Sequence, residues 1–160
     1  MKPFLFFFLV AFIAQSSSCN TTDDDENVLS KDGPFKISEL AGNWEATKAQ
    51  FSVNTTSIDV VERGGTAQMA VQANGRFTIS LNPVDRDAYS VSGEMFWEEW
   101  KQTSHFTIIW DDSPGERDTY SHTYDGTTLS FNGGTGTGEY DFNNDGTMEA
   151  CSVHYIFIRP

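Results

Sequence analysis

Basic residues are scarce in this chain. Ten Lys and Arg stand against 23 Asp and Glu in 160 residues, a formal charge of −13. That excludes nucleic acid as a partner held through its phosphates, which requires a basic face. It also excludes docking on anionic lipid through a polybasic patch. Cysteine and histidine are scarce too, at two and three, too few for a multi-cysteine zinc centre or a disulfide scaffold. No apolar run reaches the ~20 residues of a membrane-spanning helix, and from Asn43 onward no segment carries a helical period. Aromatics are plentiful, with 13 Phe, 5 Tyr and 4 Trp. They suffice for the core of the single domain that a chain of this length predicts.

The longest apolar run, Phe4–Ala14, follows Lys2 and has the length of a signal-peptide hydrophobic region. Ser16, Ser17 and Ser18 then lead into Cys19. Residues 1–18 therefore resemble a bacterial lipoprotein signal, cut just before a diacylated cysteine. Ser16 departs from that pattern, which usually carries an aliphatic residue there; the alternative is an ordinary secretory signal. The resemblance implies lipidation at Cys19, palmitate included, and a lipid-anchored place in the cell outer membrane. Behind Cys19, Asp23-Asp24-Asp25-Glu26 cannot fold without an apolar anchor. This run is similar to the acidic stretches of surface-exposed lipoproteins. Residues 19–36 are expected to be an acidic flexible linker, with Gly33-Pro34 as a late breaker. Removing residues 1–18 takes away Lys2 and no acid, leaving 9 basic and 23 acidic residues, or −14. Acylation would leave Cys151 as the one free thiol and allow no internal disulfide.

Residues 37–160 read as strands and turns. Alternation with β-branched and aromatic residues marks strands over 43–51, 57–61, 67–73, 76–81, 89–101, 104–111, 117–124, 127–131, 136–142 and 147–159. Gly-containing turns separate most of them. Ile37–Leu40 alone has the makings of a helical turn. Eight to ten short strands at this spacing predict an all-β sandwich or an antiparallel up-and-down barrel.

Strand register is tested by asking which turn length puts apolar residues on one face. A three-residue loop, Ala73–Gly75, pairs Val71 with Phe77, Met69 with Ile79 and Ala67 with Leu81, and needs Gly75 in the left-handed conformation. A two-residue loop at Asp125-Gly126 pairs Tyr124 with Thr127, His122 with Leu129 and Tyr120 with Phe131. Around Gln102-Thr103, Trp97 meets Ile108, Met95 meets Trp110 and Glu99 meets Phe106. The face so assembled carries Met69, Val71, Phe77, Met95, Trp97, Phe106, Ile108, Trp110, Tyr120, His122 and Phe131, together with Ile79 and Leu129. Met beside rigid aromatics and a few polar groups suits an adaptable apolar cavity. These eleven residues are the expected ligand-binding lining. The opposite face carries Gln68, Gln72, Glu94, Glu98, Thr107, Thr119, Ser121 and Thr123, with Phe96, Trp100 and Ile109 as exceptions.

Leu40-Ala41-Gly42-Asn43-Trp44-Glu45 resembles the opening of a lipocalin, where a helical turn leads into G-x-W at the first strand. Tyr124–Leu129 is similar to a hairpin of bacterial lipocalin-like lipoproteins. The resemblance implies a lipocalin-like barrel, with Trp44 plugging its closed end behind Gly42 and a basic residue from the chain end, Arg159, over the Trp ring. The long helix and disulfide of the animal proteins are missing, so no particular ligand carries over.

Asp141-Phe142-Asn143-Asn144-Asp145-Gly146 matches the first half of an EF-hand loop. Asp141, Asn143, Asp145 and Glu149 are thus a weak metal candidate. Ser152 stands where the closing bidentate Glu belongs, and the flanks read as strands, so an ordinary hairpin turn and no metal is the expectation. Catalysis fits poorly. His105, His122 and His154 share no ligand spacing, Cys151 lies in an apolar strand, and Glu98 and Glu99 alternate faces, with Glu99 inward or at the rim. The Gly133–Gly138 run lacks the Lys and helix of a phosphate loop. The expectation is a non-catalytic, lipid-anchored monomer without cofactor, which binds a small hydrophobic or amphipathic ligand in its barrel and touches the membrane only through its lipid. The alternative is a surface interaction module for glycan or protein, with a filled barrel and exposed Trp100 and Phe96.

Overall fold

The structure, a computed structural model, describes residues 28–160. Cys19 and the signal segment lie outside the described residues. In chain order the elements are β1 (Val28–Ser30), a 3-10 turn (Ile37–Leu40), β2 (Gly42–Val53), β3 (Thr56–Asp59), β4 (Thr66–Val71) and β5 (Arg76–Asn82). They continue with β6 (Tyr89–Trp100), β7 (Thr103–Trp110), β8 (Asp118–Tyr124), β9 (Thr128–Gly133), β10 (Gly138–Tyr140) and β11 (Glu149–Ile158). Antiparallel pairing runs β2-β4-β5-β6-β7-β8-β9-β11, and β11 returns to β2. Eight strands thus close an up-and-down barrel, with β3 appended to β2, β10 to β11 and β1 to β6. Closure removes the open sheet edges on which chains aggregate.

Turn chemistry sets the registers. At β4–β5 Val71 faces Phe77, Met69 faces Ile79 and Ala67 faces Leu81. Gly75 there has φ +88°, and an added Cβ would lie 2.8 Å from Ile37 and 2.9 Å from the Met95 carbonyl, so conformation and space both demand glycine. The other two hairpins differ from the sequence expectation by two residues. Lys101 and Gln102 both adopt positive φ, making a two-residue loop that pairs Trp97 with Phe106 and Met95 with Ile108. At β8–β9 the Asp125 carboxylate accepts the Thr127 and Thr128 N–H groups at 2.9 and 2.7 Å. That Asx turn widens the loop and pairs Tyr124 with Leu129 and His122 with Phe131. A shift of two preserves the side-chain faces.

The interior face is accordingly buried, from Met69, Phe77 and Ile79 through Met95, Trp97 and Phe106 to Phe131 and Phe157. On the outer face Glu98 and Thr107 depart from the expected exposure. Glu98 is 6 % exposed because Arg117 Nη1 reaches it at 2.9 Å and the Thr107 hydroxyl donates to it at 3.3 Å. Glu99 is exposed and does not enter the lumen.

The segment expected as linker up to residue 36 is folded from Val28. β1 pairs Leu29 with Glu98 and Ser30 with Trp97, along the part of β6 that lies past the β5 pairing, which covers Tyr89–Glu94. Its pairing satisfies backbone groups that would otherwise be unpaired. Lys31 then bonds Glu94 at 2.8 Å and the Met95 carbonyl at 2.7 Å, over the Phe96 ring. Gly33 lies flat on Trp97, where a Cβ would sit 2.3 Å from Cγ. The Trp97 indole N–H donates to the Phe35 carbonyl at 2.8 Å. No apolar periodicity announces this segment. Its contacts are single residues reaching distant strands.

Candidate functional site: the open mouth of the barrel

The two barrel ends are built differently. At one end Ile37 and Leu40 of the 3-10 turn are fully buried and Trp44 is 1 % exposed. The Trp44 N–H donates to the Leu40 carbonyl at 2.8 Å. Arg159 lies over the Trp44 ring, with its guanidinium carbon 4.2 Å from the centroid. Its N–H groups donate to the carbonyls of Ala41 at 3.1 Å, Gly126 at 3.1 Å and Glu39. A Cβ at Gly42 would lie 3.1 Å from the Arg159 Nη1. This end is sealed.

The other end is open. A cavity of about 370 Å³ enters between the upper ends of β2, β5, β6, β7, β8 and β11. Phe51, Leu81, Val153 and Tyr155 are its buried wall residues, with Tyr89, Val91 and Trp110 half-buried beside them. Asp112, Glu116, Asp118 and Glu139 supply its carboxylates, beside Ser90, Ser113, Gly136 and Gly138. The Trp110 indole N–H donates to Asp118 Oδ2 at 3.0 Å and to the Tyr120 hydroxyl at 3.3 Å. The Tyr120 hydroxyl in turn donates to the Thr137 carbonyl at 2.8 Å. Burial raises the Asp118 carboxyl above the usual carboxylate range, the Trp110 bond opposing it. Burial also holds the Tyr89, Tyr120 and Tyr155 phenols protonated. The Tyr89 hydroxyl is buried with no hydrogen-bond partner. A second hollow, about 470 Å³, lies on the outer barrel surface over Glu45, Gln68, Ala70, Thr78 and Ser80. Those side chains are all exposed, so it does not enclose a ligand.

The expected ligand lining divides. Of its eleven residues, Trp110 lines the cavity. Met69, Val71, Phe77, Met95, Trp97, Phe106, Ile108, Tyr120 and Phe131 are buried in the packed interior. His122 sits half-buried at the sealed end, with ring centroids 4.8 Å from Trp97, 5.7 Å from Phe106 and 6.0 Å from Phe35. Burial lowers its pKa and keeps the imidazole neutral. The lumen is therefore packed along these residues and hollow at the mouth. Phe51, Val153 and Tyr155 escaped the sequence reading because β2 and β11 meet through barrel closure, where no tight turn sets a register. Their alternation with polar neighbours was the available signal.

Residues 141–146 form the connection ahead of β11. Asp141 accepts the N–H groups of Asp145 at 3.1 Å and Gly146 at 2.9 Å, and Asp145 accepts that of Thr147 at 2.8 Å. Glu149 accepts the Phe142 N–H at 2.8 Å. The loop carboxylates thus hold backbone donors. Among the described residues no three His, Cys, Asp or Glu side chains gather as a metal site. The Cys151 thiol is fully buried and burial pushes its pKa up to about 11, which suits a core side chain. His154 contacts Ser130 at 3.3 Å on the outer side of β11, on a different strand from His105 of β7 and His122 of β8.

No family model, curated protein or solved structure matches the chain.

Proposed function

We propose that the protein is a lipid-anchored, lipocalin-like carrier that holds a small apolar or amphipathic molecule in the open mouth of its barrel and performs no catalysis on it. The observation that carries this reading is the contrast between the ends: one sealed by Trp44 and Arg159, the other hollowed to about 370 Å³ behind an aromatic wall. That volume falls in the range of small-molecule sites, and the lining combines apolar walls with a few polar groups, as such sites do. The G-x-W opening and the arginine from the chain end support the lipocalin-like assignment. The lipoprotein-like leader supports anchoring at Cys19 in the outer membrane.

A filled interaction module is the less favoured reading. Trp100 is 50 % exposed, but Phe96 is half-buried beneath the Lys31 ammonium, 3.4 Å from its ring centroid. The two do not form one open aromatic patch. Native mass spectrometry of purified residues 20–160 tests the carrier reading. A co-purifying small molecule, displaced when Val91→Trp narrows the cavity from its half-buried wall position, is the expected result. An empty protein that also fails to take up any apolar dye would remove the reading.

A further inference from the structure

The mouth cavity carries an asymmetry of charge. Its lining holds four carboxylates, those of Asp112, Glu116, Asp118 and Glu139, and no Lys, Arg or His. Among the described residues none of the four is ion-paired. Arg117, placed between Glu116 and Asp118 in the chain, turns away to Glu98 on the outer face. Arg86 is held by Asp85 and by the Asp141 carbonyl, over the Tyr140 ring. The walls meanwhile present the rings of Phe51, Tyr89, Trp110 and Tyr155. Aromatic faces attract cations through the ring quadrupole. Carboxylates over low-dielectric walls focus a negative field into a cleft. Asp118 is partly desolvated there with only the Trp110 N–H as partner, so a cation entering the mouth would relieve it.

From this geometry we infer that the ligand is an organic cation, an amine with an apolar, ring-sized body. The body packs against Phe51, Val153 and Tyr155, and the ammonium lies among Asp112, Glu116 and Asp118. The inference rests on the carrier reading and narrows its ligand class. An anionic amphiphile, a fatty acid included, would bring its carboxylate into the same field and be repelled.

The test uses three probes with one bicyclic body: naphthylethylamine, naphthylethanol and naphthylacetate. Binding is read by calorimetry and by quenching of tryptophan emission. The expected order is amine, alcohol, acid, with the amine at least about tenfold tighter than the alcohol. Salt near 1 M should erase most of that advantage, since exposed charges are screened within about 3 Å there. The double variant Asp112→Asn/Glu116→Gln changes two exposed rim residues. It should reduce the amine's preference over the alcohol to a few-fold. Equal binding of amine and alcohol, or an acid that binds best, would overturn the cation assignment and leave the carrier reading standing. Failure of all three to bind would remove both.

Discussion

Arg159 and Trp44 stand 115 positions apart in the chain and are stacked in space, with the guanidinium carbon 4.2 Å from the indole centroid. The same guanidinium ties the Glu39, Ala41 and Gly126 carbonyls together. It therefore joins the 3-10 turn, the β8–β9 loop and the end of β11. Arg159→Ala should cost about 2–3 kcal/mol, combining a partly desolvated cation–π contact with the loss of charge-assisted bonds. Arg159→Lys should recover less than half, because one ammonium cannot serve three carbonyls in a planar fork. Urea denaturation of the three proteins checks both. A loss below about 0.5 kcal/mol in the alanine variant, the size of an ordinary surface change, would show that the seal holds without this residue.

The two tryptophans at the lower end of β6 should behave oppositely. Trp97 is 2 % exposed beneath Gly33, whereas Trp100 is half-exposed at the hairpin. Trp97→Ala should cost about 3–5 kcal/mol, and Trp100→Ala within about 0.5 kcal/mol. Gly33→Ala drives a methyl into the Trp97 ring and should cost about 1–3 kcal/mol. A thermal melt of Gly33→Ala that matches the parent would mean that residues 31–36 lift off the barrel freely.

The buried Cys151 thiol, with its pKa pushed up to about 11, stays protonated and covered at pH 8. In protein that starts at residue 20, a disulfide reagent should find no reactive thiol under native conditions and one in urea. Rapid native labelling would place Cys151 in an opening segment of β11.

Asp118 sets a pH dependence whose sign follows from its burial. A carboxyl raised in the folded state is costly to ionise there. Its ionisation removes stability as pH rises from the unfolded value through the folded one. Asp118→Asn keeps an acceptor for the Trp110 N–H and should raise the urea midpoint at pH 7. The gain should vanish near pH 3, where the carboxyl is protonated in the unfolded chain too. A variant less stable than the parent at pH 7 would show that the Trp110 bond outweighs the desolvation.

How far the fold was legible follows from where its information lies. Alternation and turn residues are local, and they located the ten strands from β2 to β11 to within a few residues of their observed bounds. Parity also survived the two hairpins whose loops differ in length, because a slip of two keeps each side chain on its face. The site was less legible. Whether Trp97 packs or lines a cavity depends on what covers it, and the cover is Gly33 and Phe35 from a segment with no period of its own.

Composition and alternation were enough for an all-β chain with one apolar face, because both arise from residues near one another along the chain; the plugged end was implied by the resemblance of Leu40–Glu45 to a lipocalin opening. The hollow, walled by Phe51 of β2 and by Val153 and Tyr155 of β11, depends on the closure of β11 on β2, and the folding of residues 28–36 depends on contacts with the distant strand β6. Closure is a long-range pairing that no turn encodes. It sets which strand ends share a rim, and so which charges a ligand would meet there.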